Sequence, residues 1–96
     1  MIKRFVDYLK YERNYSQRTQ TEYAMDLEDF ERYFKSVEPT LTWDSVDADI
    51  IRGWMEEMMD RGNSAASVNR RLSSLRSFYK FALGRKMVAK DPSRLI

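Results

Sequence analysis

Apolar residues recur at helical spacing in four blocks of this chain, and no block shows the strict alternation of a half-buried strand. In the first block, Ile2, Phe5, Val6 and Leu9 follow the i, i+3, i+4, i+7 pattern of one buried helical stripe. The chain has 96 residues, which is enough for one hydrophobic core and too few for two. The sequence therefore predicts a single all-α domain, a compact orthogonal bundle of four helices.

Residues that start and stop helices bracket these blocks. Ser16 and Asp47 are candidate N-caps of the second and third helices, and Gly62 is a candidate left-handed residue after the third. Trp43 and Val46, in the long loop between the second and third helices, are predicted to turn inward. Pro92 is expected to open a short terminal helix. The predicted helices cover about residues 2–13, 17–35, 48–60 and 65–84.

The chain contains no cysteine and no histidine. Disulfides and thiolate metal sites are therefore excluded, and so are the commonest general base and the commonest metal ligand. Asp26, Glu28, Asp29 and Glu31 form an acidic cluster, but their spacing scatters them around a helix, so a solvated face is predicted. No catalytic residue, metal or cofactor is expected.

Without an apolar run of about 18 residues or a leader segment, the expected location is the cytoplasm and no membrane contact is predicted.

Charge is distributed unevenly along the chain. Residues 1–60 contain 8 Lys/Arg and 14 Asp/Glu, whereas residues 61–96 contain 9 Lys/Arg and only Asp91 as an acid, giving formal charges of −6 and +8. A field of one sign attracts a polyanion, and nucleic acid is the expected partner. The alternative is that these basic residues pair with the acidic half inside the fold.

The fourth predicted helix carries the clearest candidate surface. Its core arc consists of Val68, Leu72, Leu75, Tyr79 and Ala82. The opposite arc consists of Ala66, Arg70, Ser73, Ser77 and Lys80, with Arg76 and Asn69 on one flank and Ser67 and Ser74 on the other. Hydroxyl groups with Arg and Lys are the groups that bind phosphates and base edges, and no Glu interrupts them.

Several side chains of this helix carry further expectations. Arg70 and Lys80 are expected to contact DNA and to support no core contact. Arg71 lies at the core boundary, where an internal pair and a DNA contact are both open. Phe78 and Phe81 lie off the core arc and are expected to be free to meet a neighbouring domain or protomer.

The first turns of the second predicted helix offer a further set of polar groups. Arg18, Thr19 and Thr21 can bind phosphates or bases, and a helix N-terminus favours an anion. Ser16, taken alone, is more often a plain capping residue. The later turns of this helix are acidic, so only its N-terminal half is expected to face DNA.

Two runs of residues carry a family resemblance that spans nearly the whole chain. Residues 62–79 read G-x-S-x-x-S-x-x-R-x-L-S-x-L-R-x-F-Y, and residues 8–30 read Y-L-x-x-E-R-x-x-S-x-x-T-x-x-x-Y-x-x-D-L-x-x-F. Both runs resemble the N-terminal, SAM-like core-binding domain of tyrosine recombinases, which include Xer-type recombinases and phage integrases. Asp91-Pro92-Ser93 resembles the segment that precedes that family's interdomain linker. The resemblance implies a core-binding domain over residues 1–90 and the start of a linker over residues 91–96.

The resemblance also implies a function in DNA recombination or DNA integration. The second and fourth helices would cross the major groove of duplex DNA, and Ser16, Thr19, Arg70, Ser73 and Arg76 would lie near it. The expected DNA-binding residues, from both lines of reasoning, are Ser16, Arg18, Thr19, Thr21, Arg70, Ser73, Arg76, Ser77 and Lys80. The family's catalytic residues belong to a C-terminal domain, so this chain alone is not expected to be an enzyme. Its expected partners are double-stranded DNA, that catalytic domain and other protomers on DNA.

A function of a different class stays open. SAM-like domains also serve as protein interaction modules, and a basic face can meet an acidic protein. Dependence of binding on salt concentration distinguishes the two, because phosphate binding releases counterions.

Overall fold

The computed structural model describes residues 1–96, which form four α-helices and one short 3₁₀ helix, with no strand. The α-helices are α1 (Ile2–Tyr11), α2 (Gln17–Val37), α3 (Ala48–Asp60) and α4 (Ala65–Gly84), and the terminal 3₁₀ helix is Pro92–Leu95. The prediction of an all-α, four-helix domain is confirmed. The short helix opened by Pro92 is confirmed as well.

Side-chain caps begin three of the α-helices. The Ser16 hydroxyl accepts a hydrogen bond from the amide of Thr19, and the Asp47 carboxylate accepts one from the amide of Ile50. Ser64 caps α4 in the same way. Each cap satisfies an amide that has no partner within its helix. The predicted capping roles of Ser16 and Asp47 are confirmed.

Two helix ends differ from the sequence expectation. α1 ends at Tyr11, because the amides of Glu12 and Arg13 both bond the Tyr8 carbonyl and Asn14 then takes a left-handed φ of 52°. α2 continues to Val37 and ends where Glu38, which precedes Pro39, adopts extended backbone.

The corner between α3 and α4 is built around Gly62. Its φ is +93°, and its amide donates to the Met59 carbonyl, while the amide of Asn63 donates to the Met58 carbonyl. These bonds satisfy carbonyls at the end of α3, and α4 begins after a connection of four residues, 61–64. The predicted left-handed role of Gly62 is confirmed.

The helix α4 runs through the centre of the molecule and packs against α1, α2, α3 and the terminal 3₁₀ helix. All five predicted core residues of α4 are buried. Phe78 and Phe81 are buried too, so the expectation that they meet a neighbouring domain is wrong. The reason is that α1 covers this side of α4, with the Phe5 ring 5.6 Å from Phe78 and 5.4 Å from Phe81.

Trp43 fills the core from the loop between α2 and α3. Its ring lies 4.6 Å from Phe78, its indole N–H donates to Glu31, and its carbonyl accepts from the Tyr79 hydroxyl at 2.6 Å. Val46 is fully buried beside it. Both inward-turned positions are confirmed.

The end of the described chain lies against the bundle. The terminal 3₁₀ helix contacts α3 and α4, Ser93 is buried, and Arg76 donates to the Ile96 carbonyl at 2.9 Å. The assignment of residues 91–96 as the start of a linker stays a prediction. None of the helices combines the length and the apolar character that crossing a bilayer requires.

Candidate nucleic-acid interface

The outward side of α4 contains no acidic residue. Ser73, Arg76 and Lys80 are exposed on it and Ser77 is half-buried. Neither Arg76 nor Lys80 forms an ion pair, so their charges are uncompensated. Such a surface can accept phosphate oxygens without first breaking a salt bridge.

The first turn of α2 lies beside this side of α4. Thr19, Arg70 and Ser73 line one shallow groove of about 220 Å³ together with Glu22, Tyr23 and Ser74. Ser16 joins this set by donating a hydrogen bond to the Thr19 hydroxyl at 3.0 Å. Two separate sequence motifs therefore contribute to one surface.

Lys80 connects that surface with two further grooves. Lys80 and Ser77 line a groove of about 560 Å³ between α1 and α4, which also contains Arg13 and Arg85. On the other side, Lys80 and Arg76 line a groove of about 360 Å³ next to the terminal 3₁₀ helix. We use the name α2–α4 face for the combined surface of Ser16, Thr19, Arg70, Ser73, Arg76, Ser77 and Lys80.

Two of the residues predicted to bind DNA lie apart from this face. Arg18 is almost fully exposed and pairs with Glu22, with 3.3 Å between the guanidinium and carboxylate atoms. Thr21 lies roughly 200° around α2 from Thr19, and its hydroxyl donates to the Gln17 carbonyl. Neither side chain lines a groove beside α4.

Arg70 makes an internal contact that the sequence expectation excluded. Its guanidinium donates two hydrogen bonds to Asp26, at 2.8 and 3.2 Å, and Ser74 donates a third at 2.7 Å. Asp26 is 2% exposed, whereas half of the Arg70 side chain is exposed. The expectation that Arg70 supports no core contact is wrong, because α2 packs on this side of α4 and its buried carboxylate requires donors. Ser74, predicted on a flank of α4, is buried for the same reason.

The acidic cluster on α2 is likewise not the solvated face that was predicted. Asp29 accepts hydrogen bonds from Trp54, Arg61 and Arg32 at 3.0, 2.9 and 3.1 Å. Burial raises the pKa of Asp29, but these hydrogen bonds outweigh it and leave the pKa lowered. Glu31 bonds the Trp43 indole, and within the cluster only Glu28 is exposed and without a partner.

The basic half of the chain divides between internal and uncompensated charges. Arg61, Arg70, Arg71 and Arg85 pair with carboxylates of the acidic half, so the alternative of internal pairing applies to these four. Arg71 is the weakest of them, since its nearest distances to Asp26 and Asp29 are both 3.9 Å. Arg76, Lys80, Lys86, Lys90 and Arg94 form no ion pair. The positive field that remains is centred on α4 and the residues after it.

Arg13 and Arg85 were not among the predicted site residues, yet both line the groove that contains Ser77 and Lys80. Arg13 belongs to the motif that carried the resemblance, so a signal was present. The sequence did not show that the end of α1 lies against the last turns of α4.

Comparison with known proteins points to a single family. The chain matches the family described as phage integrase, N-terminal SAM-like domain, over residues 2–86. It is 35% identical to tyrosine recombinase XerD of Oceanobacillus iheyensis over 92 residues, which is 96% of this chain and 31% of that protein. It is 39% identical to tyrosine recombinase XerC of Listeria innocua over 90 residues, which is 94% of this chain and 30% of that protein.

A third relative, tyrosine recombinase XerC of Bacillus subtilis, is 33% identical over 95 residues, which is 99% of this chain and 31% of that protein. The chain therefore spans less than a third of the length of these curated relatives. No solved structure matches it.

Proposed function

The chain belongs to the family of phage integrase N-terminal, SAM-like domains, and on that premise we propose that it is the DNA-binding module of a tyrosine recombinase. In this proposal it grips duplex DNA through α2 and α4. The proteins it resembles are named tyrosine recombinases, which supports a role in DNA recombination.

The observation that carries the proposal is the composition of the α2–α4 face. It combines uncompensated cations on α4 with hydroxyl groups from two helices, and Glu22 is the one carboxylate in its central groove. Arg70 adds a guanidinium whose orientation Asp26 fixes before any ligand binds. Fixing a side chain in advance lowers the entropy cost of binding.

The hydroxyl groups of the face have distinct roles in this proposal. The Ser73 hydroxyl donates to the Asn69 carbonyl at 3.1 Å, which leaves its oxygen free to accept from a base amino group. To donate to a phosphate, the Ser73 hydroxyl would have to give up its hydrogen bond to the Asn69 carbonyl. Lys80 has no such bond to give up, so we propose that it contacts a phosphate of the DNA backbone.

The chemistry of recombination is assigned to other parts of the assembly. Because the chain spans less than a third of its relatives' length, we propose that strand cleavage belongs to a C-terminal catalytic domain. That domain and other protomers on the same DNA are the proposed protein partners. The chain alone would bind DNA without forming a covalent bond to it.

Fluorescence anisotropy of a short labelled duplex, titrated with the purified chain at several salt concentrations, tests the proposal. About four phosphate contacts imply a slope of log K against log salt near −3.6. Lys80→Ala should reduce the slope by about 0.9. Ser73→Glu places a carboxylate at the centre of the α2–α4 face and should abolish binding.

Glu28→Ala is the matched control, since Glu28 is exposed on α2 and makes no hydrogen bond or ion pair. Its affinity should equal or slightly exceed that of the parent chain. Circular dichroism verifies that each variant is folded. Salt-independent affinity, or a folded Ser73→Glu chain that binds as well as the parent, would overturn the proposal in favour of an interaction module for an acidic protein.

A further inference from the structure

The groove between α1 and α4 combines aromatic rings with basic side chains. Its walls include Tyr8, Tyr15 and Phe81, and three cations, Arg13, Lys80 and Arg85, lie along it. Its volume of about 560 Å³ falls within the range of small-ligand sites. A phosphate with part of its sugar therefore fits within it.

The three cations of this groove are not equivalent. Arg85 donates to both carboxylate oxygens of Glu12, at 2.9 and 3.1 Å, so these two charges cancel. Arg13 and Lys80 have no carboxylate partner in the structure. The groove therefore retains the charge of two cations, one from each side.

Arg13 is exposed and yet held in place. Its guanidinium donates to the Tyr15 hydroxyl at 3.1 Å and to the Tyr8 hydroxyl at 3.5 Å, and it lies 5.3 Å from the centre of the Tyr15 ring. The hydrogen bond to Tyr8 and the nearby Tyr15 raise the pKa of Arg13, and an arginine is charged throughout the physiological pH range even without such a shift. The guanidinium retains further N–H donors beyond these two bonds.

A guanidinium with fixed orientation, spare donors and no carboxylate partner is suited to a phosphate group. Lys80 supplies a compact second cation from α4, and Ser77, also on α4, lines the groove with a hydroxyl group. Lys80 and Ser77 also belong to the α2–α4 face, so one strand of a bound duplex can continue from that face into the groove.

We propose that Arg13 and Lys80 form a clamp for a backbone phosphate of duplex DNA, with Tyr8 and Tyr15 as positioning residues for Arg13. The proposal rests on the proposed DNA-binding function and adds the end of α1 as a third contact region. A contact from this side would fix the rotation of the duplex relative to the α2–α4 face.

The test is Arg13→Gln in the anisotropy titration with the same labelled duplex. Loss of one phosphate contact should weaken binding about fivefold at about 0.15 M salt and about 15-fold at about 0.05 M, and should reduce the salt slope by about 0.9. Arg52→Gln is the matched control, because it removes the same charge from an exposed arginine on α3, which does not line the groove.

A second set of variants tests the positioning role. Tyr8→Phe with Tyr15→Phe retains both rings and removes the two hydroxyl groups that hold Arg13. This pair of changes should weaken DNA binding by less than Arg13→Gln does. In the Arg13→Gln background it should have no further effect, since the group it positions is already absent.

Each outcome decides between the parts of the proposal. If Arg13→Gln and Arg52→Gln have equal effects while Ser73→Glu still abolishes binding, the clamp is wrong and the proposed function stands. If the tyrosine changes weaken binding equally in both backgrounds, their effect is structural and the positioning role is wrong. If the parent chain shows no salt-dependent binding to duplex DNA, the proposed function and the clamp both fall.

Discussion

Asp26 is a buried carboxylate at the contact between α2 and α4, and its two donors, Arg70 and Ser74, both come from α4. A charge removed from water is costly unless it is paired and hydrogen-bonded. Arg70 therefore serves the fold directly, besides the DNA contact proposed for its exposed half. A change at Arg70 tests stability and binding together, whereas changes at Ser73 and Lys80 test binding.

Arg70→Ala should lower the free energy of unfolding by about 2 kcal/mol, measured by urea denaturation. Breaking a fully buried ion pair costs about 3–5 kcal/mol, and water screening of the half-exposed Arg70 reduces this value. Asp26→Asn in the same chain should recover part of the loss, because it removes the unpaired charge. Lys80→Ala, which breaks no ion pair, should leave stability unchanged. Equal stability of the Arg70→Ala and parent chains would show that the pair contributes nothing.

The contacts of individual side chains were the feature that the sequence predicted least well. The position of a residue around its own helix follows from its number, but the neighbour that covers it does not. Asp26 and Asp29 were predicted to be solvated, but the structure buries Asp26 and half-buries Asp29, and each pairs with a cation more than 30 residues away in the chain. The candidate site has the same limit, since Thr19 lies beside Arg70 and Ser73 whereas Thr21 does not.

At the level of helices, prediction was more accurate, because helix limits depend on local chemistry. The approximate limits of α3, predicted from Asp47 and Gly62, agree with the structure, because each of these residues acts on its nearest neighbours. The end of α1 was misplaced because residues Glu12 and Arg13 carry no obvious stop signal before Asn14. The buried arc of α4 was predicted too narrow, since a helix at the centre of a bundle has neighbours on several sides.

Gly62→Ala should lower the free energy of unfolding by about 1 kcal/mol, because the positive φ at this corner is unfavourable for a residue with a Cβ atom. A Cβ at position 62 would meet no atom within 4 Å, so backbone strain is the only cost. Chemical denaturation measures it.

Gly84→Ala is the control for this change. Position 84 is also open and has no positive φ, so stability should stay equal or rise by less than about 1 kcal/mol. If both alanine variants had the same stability, the conformation of the corner would not require glycine.

One cluster of 18 buried apolar residues joins all four helices, the long loop and Val88. No element has a core of its own. We therefore expect the chain to unfold in one cooperative step.

Denaturation should show this cooperativity directly. Helix content, followed by circular dichroism, and the fluorescence of Trp43 and Trp54 should give coincident transitions. The two tryptophans report on the loop and on α3, and each packs against Phe30 of α2. A fluorescence change of Trp43 at lower denaturant than the loss of helix would show that the loop leaves the core separately.

The Trp43 contact has a consequence for how sequences of this fold can vary. Loops usually accept insertions and deletions because they cross the surface and fix few contacts. Here the segment between α2 and α3 places an indole among Phe30, Phe34 and Phe78, so a change in its length would displace a core residue. We therefore expect the length of this loop to vary as little as the length of a helix does. Insertions should be tolerated better in segments whose side chains all face water.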